Sequence, residues 1–281
     1  MAKTPFDKIK ESLSKQIPKN LVRKIPDKWE KTGEVLTIKL PTDLKNYEKE
    51  IGEVYAMILN CKTVLNDIGG ISGVYREPNV AVIYGSTNTE TIHKENGIKY
   101  KLDPQKIMFS SGNMDERLRM ANISNTGETV VDLFAGIGYF TIPMAVYSKP
   151  KKIFACEINP VSYDYLCTNI ILNNVTSLVE PLKGDNRKIS PKNVADRVLL
   201  GYFGDTHDFI PTALDCLKNH TGIIHYHDKF PEDVVPDGPL KIVKKIAEKY
   251  DRNAQLLKYK HVKTYAPGIS HFVLDIQIGE Q

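Results

Sequence analysis

The stretch that decides the fold is TVVDLFAGIGYFTIPMA, which runs from Thr129 to Ala145. It begins with an apolar run that ends in Asp132, passes through Gly136 and Gly138, and then takes on the apolar spacing of a helix. Nucleotide-binding strands end in this way, because glycines let the backbone of the turn approach a ligand closely. The stretch therefore predicts a strand, a tight turn and a helix at a nucleotide site.

The spacing of the glycines bears on which nucleotide could bind. The fingerprint for nicotinamide and flavin dinucleotides is G-x-G-x-x-G/A, whose third glycine permits close packing of helix on strand beside a pyrophosphate. In this chain that place is taken by Thr141. A dinucleotide is therefore disfavoured, and two glycines alone also fit an ordinary tight turn.

Apolar strands and helices alternate from about residue 105 to the end of the chain. This alternation predicts an α/β fold with a mostly parallel sheet covered by helices on both faces. The predicted strands lie near 129–134, 152–157, 179–183, 196–202, 222–228, 256–263 and 271–278, and the predicted helices at 138–148, 160–173, 208–218 and 238–250.

The last two predicted strands are joined by the short segment Ala266 to Ile269. Such a connection requires antiparallel pairing, because a parallel crossover needs roughly a dozen residues or more. The sheet should therefore be seven-stranded and mostly parallel, with an antiparallel hairpin at its end. This ending distinguishes it from a dinucleotide-binding Rossmann domain.

Residues 1–104 have a mixed pattern, which predicts a smaller α+β domain ahead of a second domain at 105–281. The predicted helices are 7–16 and 46–60, and the predicted strands are 33–40, 72–75, 80–84 and 98–102. Residues 1–31 hold nine Lys/Arg and four Asp/Glu, a net charge of 9 − 4 = +5, against +4 for the whole chain. This segment could attract RNA, although a solvated helix face would look the same.

Several classes of protein are disfavoured by composition. No apolar run approaches the length of a membrane span, and the first residues lack the apolar centre of a signal peptide. The four cysteines, at positions 61, 156, 167 and 216, are far apart and show no zinc-ligand spacing. We therefore expect free thiols in the reducing cytoplasm, with no membrane and no metal.

Acidic residues follow three consecutive predicted strands: Asp132, Glu157 and Asp185, the last with Asn186 beside it. In a doubly wound sheet these strand ends converge on one crevice. Glu157 could accept both ribose hydroxyls, Asp185 could accept an adenine amino proton, and Asp132 suits a cationic ligand. An adenosine ligand with positive charge and no phosphate is S-adenosylmethionine, although each acid alone could be a helix cap.

At this point the chain resembles a known family. The segments VVDLFAGIGYFT, ACEINP and KGDNR and the terminal hairpin look like a class I S-adenosylmethionine-dependent methyltransferase fold. The segment FSSGNMDERLRM, at 109–120, makes the chain similar to the archaeal and eukaryotic tRNA enzymes that modify the guanosine just 3′ of the anticodon. The resemblance covers most of residues 20–281.

That family contains two activities: N1-methylation of the guanosine, and transfer of a 3-amino-3-carboxypropyl group in the wybutosine pathway. The methyltransferases carry Asn-Pro-Pro or Asn-Leu-Pro after the fourth strand, whereas this chain has Gly201-Tyr202-Phe203-Gly204. The resemblance therefore favours aminocarboxypropyl transfer to the modified guanosine of tRNA-Phe. N1-methylation is the alternative, and an RNA-binding protein without activity is a third hypothesis.

The resemblance also implies which residues bind S-adenosylmethionine. It places FSSGNMDERLRM beside the cofactor. Within this motif Arg117, whose planar fork matches a carboxylate, is the candidate anchor for the methionine carboxylate, with Ser110 or Ser111 as hydroxyl donor. Arg119 is the alternative, and the motif could also be a surface helix with Asp115, Glu116 and Arg119 as solvated charges. The full set that we expect at the cofactor is Ser110, Arg117, Asp132, Phe134, Gly136, Gly138, Glu157, Asp185, Asn186 and Gly201. The expected partner is the anticodon loop of tRNA-Phe, with no obligate protein partner.

Other residues keep two interpretations. Asp205 and His207 could assist proton loss from the substrate, or Asp205 or Thr206 could cap a helix. His225 and His227 share a strand face, which could suit a metal, although no third ligand is evident. The favoured interpretation is two polar residues at the end of the fifth strand. Tyr202 and Phe203 could stack on an extruded base or pack in the core.

Overall fold

The computed structural model describes residues 3–280, and the chain divides into two compact units between Ser111 and Gly112. The predicted boundary at 104/105 lies just after the last strand of the first unit. None of the helices within residues 3–280 is long and apolar enough to cross a membrane.

The first unit is a small α+β domain. Its helices are α1 (Pro5–Leu13), α2 (Lys19–Val22) and α3 (Glu48–Leu59), and its strands are β1 (Trp29–Thr32), β2 (Val35–Ile38), β3 (Thr63–Ser72), β4 (Glu77–Gly85), β5 (Thr91–Glu95) and β6 (Ile98–Leu102). Strands β1 to β4 form one sheet in that order, and β5 pairs with β6. Helix α1 begins with a capping box between Thr4 and Asp7 and buries Ile9 and Leu13 in the domain core.

Two strand predictions in this unit are corrected. The predicted strand 72–75 is wrong, because residues after Ser72 form a turn and the strand is Thr63–Ser72. Its pairing with β4 is irregular between Asp67 and Gly70, and such an interruption resembles a turn in sequence. The predicted strand 33–40 contains β2 (Val35–Ile38) but begins too early, because Gly33, at φ 57°, lies in the turn between β1 and β2.

The second unit carries the predicted alternation of strands and helices. Its elements are α4 (Met114–Ala121), β7 (Thr129–Asp132), α5 (Thr141–Tyr147), β8 (Lys152–Glu157), α6 (Pro160–Leu172), β9 (Val179–Lys183), α7 (Asn186–Ile189), β10 (Arg197–Leu200), α8 (Ile210–Cys216), β11 (Gly222–Pro231), α9 (Asp237–Ala247), β12 (Arg252–Ala266) and β13 (Ile269–Glu280). All four residues of the central strand β10 are buried, as expected for a strand covered on both faces.

The seven strands lie in the order β12-β13-β11-β10-β7-β8-β9. Pairs from β11 through β9 are parallel, whereas β13 is antiparallel to both β11 and β12. The predicted α/β sheet with a terminal hairpin is therefore confirmed. The chain runs from β7 to β9 on one side and returns to β10 on the other, so the switch point lies between β7 and β10, where open α/β sheets bind ligands.

Candidate functional site

The turn after β7 is built on its two glycines. Gly136 has φ 59° and Gly138 has φ 98°, conformations that side chains with a Cβ rarely adopt. A Cβ on Gly138 would also lie 2.4 Å from Cγ1 of Ile142, in the first turn of α5. These two positions therefore require glycine for the path of the chain itself.

The carboxylate of Asp132 stabilises this turn. Its carboxylate is fully buried and accepts hydrogen bonds from the Phe134 backbone N–H (3.1 Å) and the Thr141 hydroxyl (2.7 Å). Burial raises the pKa of Asp132 to about 6, although both hydrogen bonds act in the opposite direction. Thr141, which replaces the third glycine of the dinucleotide fingerprint, thus serves as a buried partner for this acid.

The carboxylate of Glu157 connects the turn after β7 to the loop after β8 by hydrogen bonds. One oxygen accepts from the Gly136 backbone N–H (2.8 Å), and the other from the Asn159 N–H (2.6 Å). Burial raises the pKa of Glu157, and the backbone hydrogen bonds partly offset this effect. An ionised carboxylate has about four acceptor sites, so Glu157 keeps acceptor capacity for hydroxyl groups.

The third strand end carries Asp185 and Asn186. Asp185 caps α7 by accepting from the Arg187 backbone N–H (3.1 Å), and it pairs with the Arg187 side chain at 2.7 Å, which lowers the pKa of the acid. Asn186 is buried and donates to the Leu133 carbonyl (2.7 Å), while its side-chain oxygen has no hydrogen-bond partner within residues 3–280. The capping interpretation of Asp185 is confirmed, and its contact with a ligand stays a prediction.

Aromatic rings line the switch point. Phe134 and Tyr202 stack with centroids 4.9 Å apart and planes 17° apart, and Phe209 meets Phe134 edge-on at 4.8 Å. Gly201 follows β10, and a Cβ there would lie 3.0 Å from the ring of Phe140. Tyr202 therefore packs against other aromatic rings of the unit, as one of its two interpretations predicted, and its stacking on a base stays a prediction.

Helix α4 carries the charged motif in a buried setting. Glu116 is fully buried and Arg117 is 2% exposed, so the interpretation of Glu116 as a solvated charge on a surface helix is wrong. Arg119 binds Glu116 at 2.6 Å and Asp275 of β13 at 2.6 Å. Two carboxylates therefore engage Arg119, and the role of Arg117 at a ligand carboxylate stays a prediction.

The boundary between the two units lies just before helix α4. Ser110 and Ser111 close the first unit, and the Ser111 hydroxyl donates to Glu30 at 3.0 Å. Their roles beside the cofactor stay predictions.

His225 lies in a buried polar chain that sequence analysis did not find. Arg197 donates to Nε2 of His225 at 2.7 Å, and because a guanidinium only donates, the proton of the neutral ring is on Nδ1. That Nδ1–H donates to Asp275 at 2.6 Å. Burial lowers the pKa of His225, so the ring stays neutral.

His227 packs differently. Its Nδ1 lies 3.2 Å from Nε2 of His271, and its ring stacks on Phe140 with centroids 5.1 Å apart. No group of three or more potential metal ligands occurs among the described residues. Both histidines of β11 are buried, and each has a ring nitrogen within hydrogen-bond distance of another polar side chain.

The loop after β10 is capped from a neighbouring strand. Asp228 of β11 accepts from the backbone N–H groups of Gly204 (2.9 Å) and Thr206 (3.1 Å). Asp205 has φ 54° and makes no side-chain cap hydrogen bond, so its capping interpretation is wrong. Asp228 was missed because its partners lie more than twenty residues away in sequence.

Comparisons with known proteins agree with this architecture. A model of the TRM5/TYW2 methyltransferase domain matches residues 91–256, and a model of the TYW2 N-terminal domain matches residues 9–89. A Pyrococcus horikoshii protein named tRNA(Phe) (4-demethylwyosine(37)-C(7)) aminocarboxypropyltransferase is 45% identical, with 96% of each chain covered. The tRNA (guanine(37)-N(1))-methyltransferase Trm5b of Pyrococcus abyssi is 36% identical over 93% of this chain and 78% of its own.

A solved structure extends the likeness to three dimensions. The crystal structure of P. horikoshii TYW2 in complex with MeSAdo superposes with a TM-score of 0.87 at 42% identity, covering 98% of this chain and all of that one. The chain therefore belongs to the TRM5/TYW2 family of S-adenosylmethionine-dependent tRNA-modifying enzymes.

Proposed function

We propose that this protein transfers the 3-amino-3-carboxypropyl group of S-adenosylmethionine to C7 of the 4-demethylwyosine-type base at nucleotide 37 of tRNA-Phe. The observation that carries the proposal is the 45% identity, over nearly the whole chain, to a relative of that name. Gly201-Tyr202-Phe203-Gly204, in place of the Asn-Pro-Pro of the methyltransferases, supports the same choice.

The reaction is a displacement at the sulfonium centre. The base carbon attacks the γ-carbon of the methionine arm, the bond from that carbon to sulfur breaks, methylthioadenosine leaves, and the base then loses a proton. Because the nucleophile must lie in line at about 3–3.5 Å, the placement of the methionine arm decides which carbon reacts. The enzyme must therefore hold the methionine carboxylate and amine firmly.

The strand ends supply the proposed cofactor contacts. Glu157 binds the ribose hydroxyls with its remaining acceptor sites, and Asp185 with Asn186 faces the adenine. Arg117 offers a planar fork that matches the methionine carboxylate, with Ser110 as a hydroxyl donor. Asp132, whose carboxylate accepts from Phe134 and Thr141, shapes the Gly136–Gly138 loop.

The first unit is proposed to hold the anticodon region of the tRNA. Arg23 and Lys28 are exposed, and Lys24 pairs with Asp43. Contacts of these side chains with phosphates would be salt-dependent and indifferent to sequence. The cytoplasm, where the substrate tRNA is found, is the proposed compartment.

The first test identifies the small-molecule product. The protein is incubated with S-adenosylmethionine and tRNA-Phe, once unmodified and once carrying the tricyclic precursor. We expect methylthioadenosine, and only with the precursor. Release of S-adenosylhomocysteine with unmodified tRNA would instead establish the N1-methyltransferase, for which Trm5b is the relevant relative.

A second test addresses the ribose contact. Glu157→Gln keeps the size of the side chain but weakens its two backbone hydrogen bonds and its hold on hydroxyls, so we expect roughly tenfold or greater loss of S-adenosylmethionine affinity by calorimetry. The matched control is Glu180→Gln on the neighbouring strand β9, where the carboxylate pairs with Lys152 at the surface. Equal S-adenosylmethionine affinities of the two variants would show that Glu157 does not contact the cofactor.

The same titration with Arg117→Ala tests the proposed anchor of the methionine carboxylate.

A further inference from the structure

Strand β12 forms one edge of the seven-stranded sheet and, within residues 3–280, pairs only with β13. Its fifteen residues, Arg252–Ala266, include four Lys/Arg and no Asp/Glu, a net charge of 4 − 0 = +4. That equals the formal charge of the entire chain. One edge of the second unit is therefore strongly basic.

Aromatic and apolar side chains stand out from the same edge. Tyr259 is 48% exposed, Tyr265 is 61% exposed and Leu257 is 52% exposed. The ammonium of Lys229, on β11, lies 4.4 Å from the ring centroid of Tyr265. Basic groups interleaved with exposed rings are the composition of surfaces that bind single-stranded nucleic acid.

Protection against aggregation is the rival explanation, because lysines often blunt a free sheet edge. Here the pairing of β12 is already irregular at three places, between Leu256 and Lys258, His261 and Lys263, and Thr264 and Ala266. Such bulges themselves discourage edge-to-edge pairing. Exposed Tyr259 and Tyr265 would work against protection, so protection does not explain the composition of this edge.

The basic residues of β12 do not all have the same role. The Lys260 ammonium lies 3.3 Å from the buried carboxylate of Glu116 and so ties the edge to α4. Lys258 is exposed and directly precedes Tyr259 in the strand, so the two side chains flank the sheet edge on its opposite faces. An acidic residue also lies near the turn between β12 and β13: Glu232 accepts a hydrogen bond from Ser270. We define the β12 edge as Lys258, Tyr259 and Tyr265, with Lys229 beside the last.

We propose that the β12 edge binds unpaired nucleotides of the tRNA substrate. Lys258 and Lys229 contact phosphates, while Tyr259 and Tyr265 stack on bases. RNA is favoured over an acidic protein because exposed tyrosines accompany the positive charge, and every base offers a face for stacking. The inference rests on tRNA being the substrate, and it adds a contact surface on the catalytic unit to the proposed function.

The test measures binding of an unmodified tRNA-Phe transcript by fluorescence anisotropy at several salt concentrations. We expect Tyr259→Ala and Tyr265→Ala each to weaken binding by about tenfold with an unchanged salt slope, since stacking is not ionic. Lys258→Ala should reduce the slope of log affinity against log salt by about 0.7, one phosphate contact. The control, Lys245→Ala on the exposed side of α9, should change neither.

Every variant is first checked for an unchanged melting temperature and S-adenosylmethionine affinity. If the tyrosine variants bind RNA as tightly as the Lys245→Ala control, the inference is overturned, and an acidic protein becomes the better partner for the edge. Wild-type protein that binds tRNA with the expected variant pattern, yet releases no methylthioadenosine, would overturn the proposed function alone. Absence of tRNA binding by the wild type would overturn both.

Discussion

Single residues at the strand ends have structural roles that overlap with their proposed ligand roles. Asp132 uses both oxygens to hold the turn after β7, and Asp185 caps α7. Glu157 spans two loops, yet a carboxylate retains acceptor sites after two hydrogen bonds. The acids thus order the loops whose backbone a ligand would approach, which explains why acids gather at this edge.

The raised pKa of Asp132 makes stability depend on pH. The native state keeps this proton up to about pH 6, whereas the unfolded chain releases it near 3.8. Stability should therefore fall as pH rises from about 4 to 6, by about 3 kcal/mol for a shift of roughly two units. Asp132→Asn, which does not titrate and can still hydrogen-bond Thr141, should lack this loss. Urea denaturation at pH 4, 5, 6 and 7 measures it, and parallel curves for the two proteins would contradict the prediction.

At the scale of elements, the β7–α5 connection explains the incomplete glycine fingerprint. The first two glycines adopt positive φ, whereas the third place lies at the start of α5, where Thr141 is fully buried against Asp132. The start of α5 therefore requires the hydroxyl group of Thr141 and not close packing of the backbone. The turn therefore belongs to a different type of nucleotide site from the dinucleotide fold.

Gly138→Ala should distort this connection. The added Cβ meets Ile142 and Leu166, and φ 98° is unfavourable for alanine. We expect a loss of stability of about 2 kcal/mol or more, with a marked loss of S-adenosylmethionine binding, because the loop must shift. Thermal unfolding and calorimetry measure the two effects. Gly127→Ala is the control, since its Cβ would meet only the Asn125 side chain at 3.3 Å. Similar losses in both variants would show that the turn after β7 has no particular requirement for glycine at position 138.

At the scale of the second unit, a buried polar chain links distant elements. It runs from Glu128 through Arg197 and His225 to Asp275, and then through Arg119 to Glu116. It therefore joins α4 to strands β10, β11 and β13. Burial alone would raise the pKa of Asp275, but the hydrogen bond from His225, with Arg119 beside it, lowers that pKa well below its ordinary value.

Asp275→Asn should break this chain. Arg119 and His225 would lose a charged partner in a buried setting, which costs about 3–5 kcal/mol. The stabilisation from Asp275 is present above its unfolded pKa and disappears as pH falls, so the difference from wild type should be largest near neutral pH and shrink below about pH 4. Urea denaturation measures it. Asp215→Asn, which removes a surface pair with Lys192, should cost less than about 1 kcal/mol, and a similar cost for both would rule out the buried chain as a source of stability.

The predictability of the chain differs between its two units. In the second unit, strands 152–157 and 179–183 match the structure residue for residue, because buried parallel strands are short apolar runs bounded by turns. In the first unit β1 and β5 were not predicted. Strand β3 was misplaced, because its irregular pairing and its Gly69-Gly70 sequence are typical of a turn. Local pattern fails where a strand is held mainly by its neighbours.

By itself the sequence determined the parallel sheet, its antiparallel ending, the glycine turn and the acids at three strand ends, because these follow from local spacing and chain connectivity. Only the tertiary structure decided which partner each polar group takes. The ion pair of Arg119 with Asp275, the protonated nitrogen of His225 and the cap supplied by Asp228 all depend on groups that lie far apart in the chain. Hydrogen bonds and ion pairs act over a few ångströms in space, and separation in sequence does not reveal them.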